Sequence, residues 1–171
     1  MAGSVIGNSL NYGYPGTYAR SGDCIIGARP LKGANANFGD PVMLNTNNTY
    51  SVADANTTLA LFAGVAAREV KQFTGSFTSQ SNGAYVANQI CDVIERGSVS
   101  VYCQWGTPAS GNQVYLCVGN NATLGSTIGH FGATIDGTPA NTIALTGVKW
   151  ATGLLDGNNV TEICLTTRNN P

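Results

Sequence analysis

Apolar and polar positions alternate in short bursts along most of this chain. From Cys24 onward the apolar runs are "CIIGARPL", "PVML", "LALFAGVAAREV", "ANQICDVIE", "SVSVYCQW", "NQVYLCV", "NTIALTGVKW" and "VTEICLTT". Between them lie clusters of turn-forming residues: "GANANFGD", "NTNNTY", "SQSNGA", "TPASGN", "GNNATLG", "IDGTPAN" and "LDGNN". Short strands at this spacing, each closed by Gly, Asn, Asp or Pro, predict an all-β sandwich or barrel rather than alternating β-α units. The two-residue period is cleanest in "SVSVYCQW". There Val99, Val101, Cys103 and Trp105 share one face, while Ser98, Ser100, Tyr102 and Gln104 share the other. One face is core; the other is exposed or covered. "VTEICLTT" has the same one-sided pattern, with Ile163 and Leu165 opposing Glu162 and Cys164.

One segment resists the period. In "TLALFAGVAAREVKQF" the residues Leu59, Phe62, Ala63, Ala66, Val70 and Phe73 also fit helical spacing, although Gly64 in a helix interior costs about 1 kcal/mol. Residues 1–22 show no sustained alternation. They are rich in Gly, Asn, Ser and Tyr, with Pro15 between Gly13 and Gly16, and predict an N-terminal arm preceding a single β domain over 23–171. Tyr12, Tyr14, Tyr18 and Arg20 are residue types enriched in the buried cores of protein interfaces. Removal of residues 1–20 is therefore expected to spare the domain and weaken its contacts.

Charge sharpens the picture. Charged residues are 10% of the 171 and the formal net charge is −1, so Asn, Thr, Ser and Gly supply the polar surface. Such a surface is inexpensive to desolvate against a neighbour. With no run of like charge there is no electrostatic drive toward nucleic acid or an anionic membrane. No apolar stretch approaches the ~20 residues of a spanning helix, and the N-terminus lacks the basic and apolar regions of a secretory signal. The five cysteines, Cys24, Cys91, Cys103, Cys117 and Cys164, form no C-x-x-C pair. Metal binding is not expected, and the thiols are expected to be mostly buried.

Catalytic signatures are missing. His130, the single histidine, lies in "TIGHFGATIDG" and has no G-x-S-x-G nucleophile elbow to serve. The carboxylates Asp92, Glu95, Asp136 and Glu162 carry no local glycosidase-like signature. No phosphate-cradling or calcium-loop motif occurs. The expectation is a non-enzymatic protein with no cofactor, no metal and no catalytic residue.

The order of motifs is more telling than any one of them. "GYPG" in the arm is followed by "FGDPV", "LFAGVAAREV", "YVANQICDVIERGSVSVYC", "SGNQVYLCVG", "IGHFGATIDG", "IALTGVKWATG" and "VTEICLTT". Over roughly residues 14 to 167 this succession resembles the structural cement, or head decoration, proteins of tailed bacteriophages. The chain departs from that pattern in its number of cysteines and in Asn112, where the family often has Asp. The resemblance implies that "LFAGVAAREV" is a strand and that the fold is a β-sandwich or jelly-roll-like barrel. It also implies a non-enzymatic role in the virion, on the outer surface of the capsid, where the protein binds the major capsid protein and clamps neighbouring capsomers of the DNA-filled head. Self-association as a homodimer or homotrimer goes with that role. Contacts with capsid or partner subunit are expected at Tyr12, Tyr14, Pro15, Tyr18, Arg20 and Phe38. The alternative is a carbohydrate- or receptor-binding β-sandwich of a virion tail, which would need Trp105 with Gln104, or Trp150 with Lys149, exposed at a binding face.

Overall fold

The computed structural model describes residues 12–68 and 83–167. In them the chain forms β1 (Tyr18–Pro30), β2 (Ala36–Asn37), β3 (Pro41–Leu44), β4 (Tyr50–Val52), β5 (Phe62–Ala66), β6 (Ala84–Tyr85), β7 (Ile90–Trp105), β8 (Gln113–Cys117), β9 (Phe131–Gly132), β10 (Thr142–Trp150) and β11 (Val160–Leu165). The only helical geometry among the described residues is a 3-10 turn at Pro139–Asn141. The fold is all-β, as the alternation predicts.

Strand pairing closes a barrel. β7 pairs with β11, β11 with β10, β10 with β8, β8 with β9, and β9 returns in parallel to β7. Closure leaves no free edge in that ring. A second lobe branches from the first half of β7. Ile94 pairs with Ile26 of β1 and also with Val65 of β5, so these strands occupy opposite edges of β7. β5 continues to β3 and β3 to β4. The ends of this lobe meet where Leu31 bridges Tyr50 in parallel and Lys32 N–H donates to the Tyr50 carbonyl at 2.7 Å.

The sixteen-residue β7 is thus the shared wall of both lobes. The regions "ANQICDVIE" and "SVSVYCQW", which read as two strands, are one strand with a bulge between them. Cys91 and Val93 point into one core, and Val99, Val101 and Cys103 into the other. All five are odd-numbered, so the strand changes face between them, and Gly97 makes the change at φ +122°. A Cβ on Gly97 would lie 2.8 Å from the Asp23 carbonyl, because β1 slips register between Arg20 and Ile25 and bulges over this point.

The ambiguous segment is a strand at Phe62–Ala66, and all five of its residues are buried. Val65 faces the barrel core, while Ala63 and Ala66 face the second core. A strand buried on both faces has no polar half to display, so its period of two is hidden. Gly64 lets β5 approach β7: a side chain there would strike the Ile94 carbonyl. Val70 and Phe73 lie outside the described residues. The "NTNNTY" cluster, read as a turn, ends in the short β4.

Candidate interface surface

The arm expected over residues 1–22 is, in its described part, a strap docked on the domain. Tyr14 to Thr17 form a turn in which the Thr17 N–H and hydroxyl both donate to the Tyr14 carbonyl, at 3.2 and 2.7 Å. Gly16 N–H then donates to the Ser100 carbonyl at 2.7 Å, and Ser100 N–H to the Thr17 carbonyl at 3.0 Å. The expected boundary at residue 22 therefore falls inside β1, which begins at Tyr18. A cut at residue 20 removes ladder pairs of the domain itself, since Tyr18 and Arg20 pair with Val99 and Ser98.

Two motifs that stand far apart in sequence interlock here. Gly16 of "GYPG" and Gly39 of "FGDPV" both have left-handed backbones, at φ +82° and +87°. A Cβ on Gly16 would sit 2.7 Å from the Ala66 carbonyl and 2.8 Å from Gly39 N; one on Gly39 would collide with Pro15. Both turns are clipped to the end of β5: Gly39 N–H donates to Ala66 and Arg68 N–H to Gly16, at 2.9 and 2.8 Å. Asp40 closes its own turn by accepting from the Asn37 N–H at 2.8 Å and the Asn37 amide at 3.1 Å. Burial pushes its carboxyl up from the usual range.

Upstream, Tyr12 is tied at three points. Its N–H donates to Asp156 Oδ2 at 3.3 Å, its carbonyl accepts from Ser100 Oγ at 2.9 Å, and its hydroxyl lies 3.1 Å from Thr152 Oγ1. Downstream, Arg20 grips Glu162 with two bonds, Nε to Oε1 at 2.6 Å and Nη2 to Oε2 at 3.2 Å. Glu162 is nearly buried while Arg20 is 68% exposed, so the arginine lies over the carboxylate as a cover. That contact raises the Arg20 guanidinium further above its ordinary value, first through the hydrogen bond and then through the opposite charge. The strap thus covers the polar face of β7 and β11: Ser100 and Glu162 are buried by it.

The six expected contact residues do not form one surface. Tyr14, 54% exposed, presents its ring outward and carries the Arg68 guanidinium 4.5 Å from its centroid. Tyr18 is also exposed. Tyr12 and Pro15 are half-buried, spent on anchoring the strap. Phe38 is 9% exposed and packs edge-to-face on Tyr85 at 5.4 Å inside the second core. Its ring is turned into that core rather than outward. Sequence reasoning missed Glu162, the strap's anchor. A lone carboxylate within an apolar strand is the signal that a cation covers it.

The alternatives lose their geometry. Trp105 and Trp150 are both buried, and Trp105 donates its indole N–H to the Thr134 carbonyl at 2.8 Å. Neither can be the exposed aromatic of a carbohydrate site. His130 Nδ1 lies 3.2 Å from Thr127 Oγ1 and 3.3 Å from the Ile128 carbonyl. Asp136 is turned away into the amides of Asn121 and Asn141, which donate to it at 2.9 and 3.0 Å. Glu95, buried inside the second lobe, accepts from the Tyr50 hydroxyl at 2.8 Å. All five cysteines are free thiols; Cys91, Cys103 and Cys117 are buried, Cys164 is half-buried and Cys24 is exposed. No group of His, Cys, Asp and Glu able to hold a metal ion occurs among the described residues.

Comparison with known proteins agrees on one relationship. The family model described as XM1 gp53 minor capsid protein matches residues 3–165. A chain from a solved structure of the capsid of Myoviridae phage XM1 has the same fold, with a TM-score of 0.70 at 18% identity, over 98% of this chain and 99% of that one. None of the curated protein sequences compared with it matches.

Proposed function

This chain belongs to the XM1 gp53 minor capsid protein family, and from that premise we propose that it is a cement protein, binding the outer surface of the major capsid protein shell and clamping neighbouring capsomers. Its place is the virion capsid and its role there is structural. The observation that carries the finer reading is the strap. A near-neutral domain with 10% charged residues holds its N-terminal segment across its outer face by interlocked glycines and a covered carboxylate. Tyr14 and Tyr18 stand exposed along it. Aromatic side chains on a rigid mount give contact area at low entropic cost.

Clamping does not require high affinity per copy. An interface of about 1,600 Å² spans micromolar to picomolar binding, and repetition over an icosahedral shell multiplies the effect. Where copies also touch one another, as a homodimer or homotrimer at a local symmetry axis, the second contact forms at high effective concentration. The contact residues are Tyr14, Tyr18 and Arg20, with Tyr12 and Pro15 holding them in place; Phe38 lies in the second core.

The test is quantitative mass spectrometry of density-purified particles, with surface proteolysis of intact heads. Copy numbers of the same order as the major shell protein, and cleavage of this chain on sealed particles, are the expected outcome. A dozen copies or fewer, or full protection inside sealed heads, would refute an outer cement.

A further inference from the structure

A cavity of about 310 Å³ opens beside Arg20 at the end of the face that the strap covers, under the bulge of β1. Arg20 from β1, Ser98 and Arg96 from β7, Cys164 from β11, the following Thr166 and the bulge residue Asp23 line it. Pairing places Arg20, Ser98 and Cys164 side by side across three strands.

The two arginines are used differently. Arg20 has its fork filled by Glu162 at two points. Arg96 touches Asp23 through Nη2 alone, at 2.7 Å, and its Nε is buried with no hydrogen-bond partner. A guanidinium is matched by a carboxylate that engages two of its N–H groups together, so Asp23 leaves this fork half-filled. Asp23 is also a poor occupant: it is 69% exposed and is carried on a bulge whose Gly22 has φ +129° and open space around it. Exposed pairs of this kind contribute little and exchange readily.

We propose that this cavity is a carboxylate socket, in which an Asp or Glu side chain from a neighbouring protein of the shell displaces Asp23 from Nη2 of Arg96 and engages the unpartnered Nε as well. The hydroxyl of Ser98 and the covering charge of Arg20 complete a site for one anionic group, beside Thr166, whose own hydroxyl donates to the Gly147 carbonyl at 2.8 Å. The identity of the donor rests on the cement reading; the socket's preference for carboxylate does not. Asp23 then acts as a stand-in that keeps Arg96 paired until the partner arrives.

Two measurements on the full chain test this. First, the arginine Nε–H resonances are followed by NMR during titration with acetate, against chloride at matched ionic strength. A saturable shift, with acetate only, of the signal that Arg96→Lys removes and so assigns to Arg96, tighter in Asp23→Asn, is expected. An equal response to chloride, or no saturation, overturns the socket. Second, the same variants are titrated onto shells lacking this protein. Arg96→Lys keeps the charge but loses the fork, and is expected to weaken binding by about tenfold or more; Asp23→Asn is expected to strengthen it. If the wild type binds shells and both variants bind equally well, the shell-derived donor is wrong while the cement reading stands. If the wild type binds no shell at all, the cement reading fails, and the acetate titration still decides the socket.

Discussion

The two lobes that share β7 are held together in different ways. The barrel lobe is a closed ring around an apolar core that includes Phe62, Leu116, Phe131, Trp150 and Ile163. The second lobe closes through a single bridge, Leu31 to Tyr50, and through the interlock of Gly16 with Gly39. At its centre stands a polar pair, Tyr50 and Glu95, with the Arg29 guanidinium 5.6 Å from the Tyr50 ring centroid. The barrel's ring closes by strand pairing alone, although the strap lies across its polar face, whereas the second lobe is closed in part by the strap. Disturbing the interlock of Gly16 with Gly39 should therefore reach the second lobe first.

The sharpest way to break this comparison is at the interlock. Gly39→Ala forces a side chain into Pro15 at a backbone angle that disfavours it, at an expected cost of about 2 kcal/mol or more. Hydrogen exchange should show β3, β4 and β5 losing protection while β8 and β10 keep theirs. Equal loss in both lobes would mean that they are not separable. Next comes Tyr50→Phe, which removes a donor to the buried Glu95. The expected cost is about 1–3 kcal/mol, again confined to the second lobe and readable in the same exchange experiment.

Arg20→Ala uncovers Glu162 and should loosen the strap without unfolding either lobe. Faster proteolysis N-terminal to β1, with an unchanged melting profile for the barrel, is the expected signature. Acid acts elsewhere. Asp136 is held below the usual carboxylate range, first by the Thr138 N–H and then by the Asn121 and Asn141 amides. A group depressed in the folded state contributes stability that is present above its ordinary value and is lost as pH falls through the folded value. The loop from Asn121 to Asn141 should therefore loosen only in strong acid, and Asp136→Asn should abolish that pH dependence. The smallest effect is in the thiols. Burial pushes Cys91 up to about 12 and Cys103 up to about 11, so alkylation at neutral pH should label Cys24 first and leave those two untouched.

Much of this architecture is written in the period of the strands. Six of the eight apolar runs match strands of their own, and "SVSVYCQW" shows which face of β7 is core. The joining of the remaining two into one β7 was not legible, because a bulge at Gly97 inverts the alternation and hides continuity. The two-residue strands β2, β6 and β9 are too short to carry a period at all. The strap was half legible: an unpatterned, tyrosine-rich segment set it apart from the strands that follow. Its docking on the domain could not be read, because the partner of Gly16 is Gly39 and the partner of Arg20 is Glu162. Such pairings, far apart along the chain, belong to the folded topology rather than to any local window. Phe38 was no more legible: an aromatic in a turn motif, it turns inward to the core.

The most direct test of the cement role is the heat stability of DNA-filled heads prepared without this chain, with and without add-back of the purified protein. The account predicts that depleted heads release DNA at lower temperature and that add-back restores the loss, with Gly39→Ala restoring less than the wild type. Heads whose DNA retention is unchanged by removal and by add-back would contradict it.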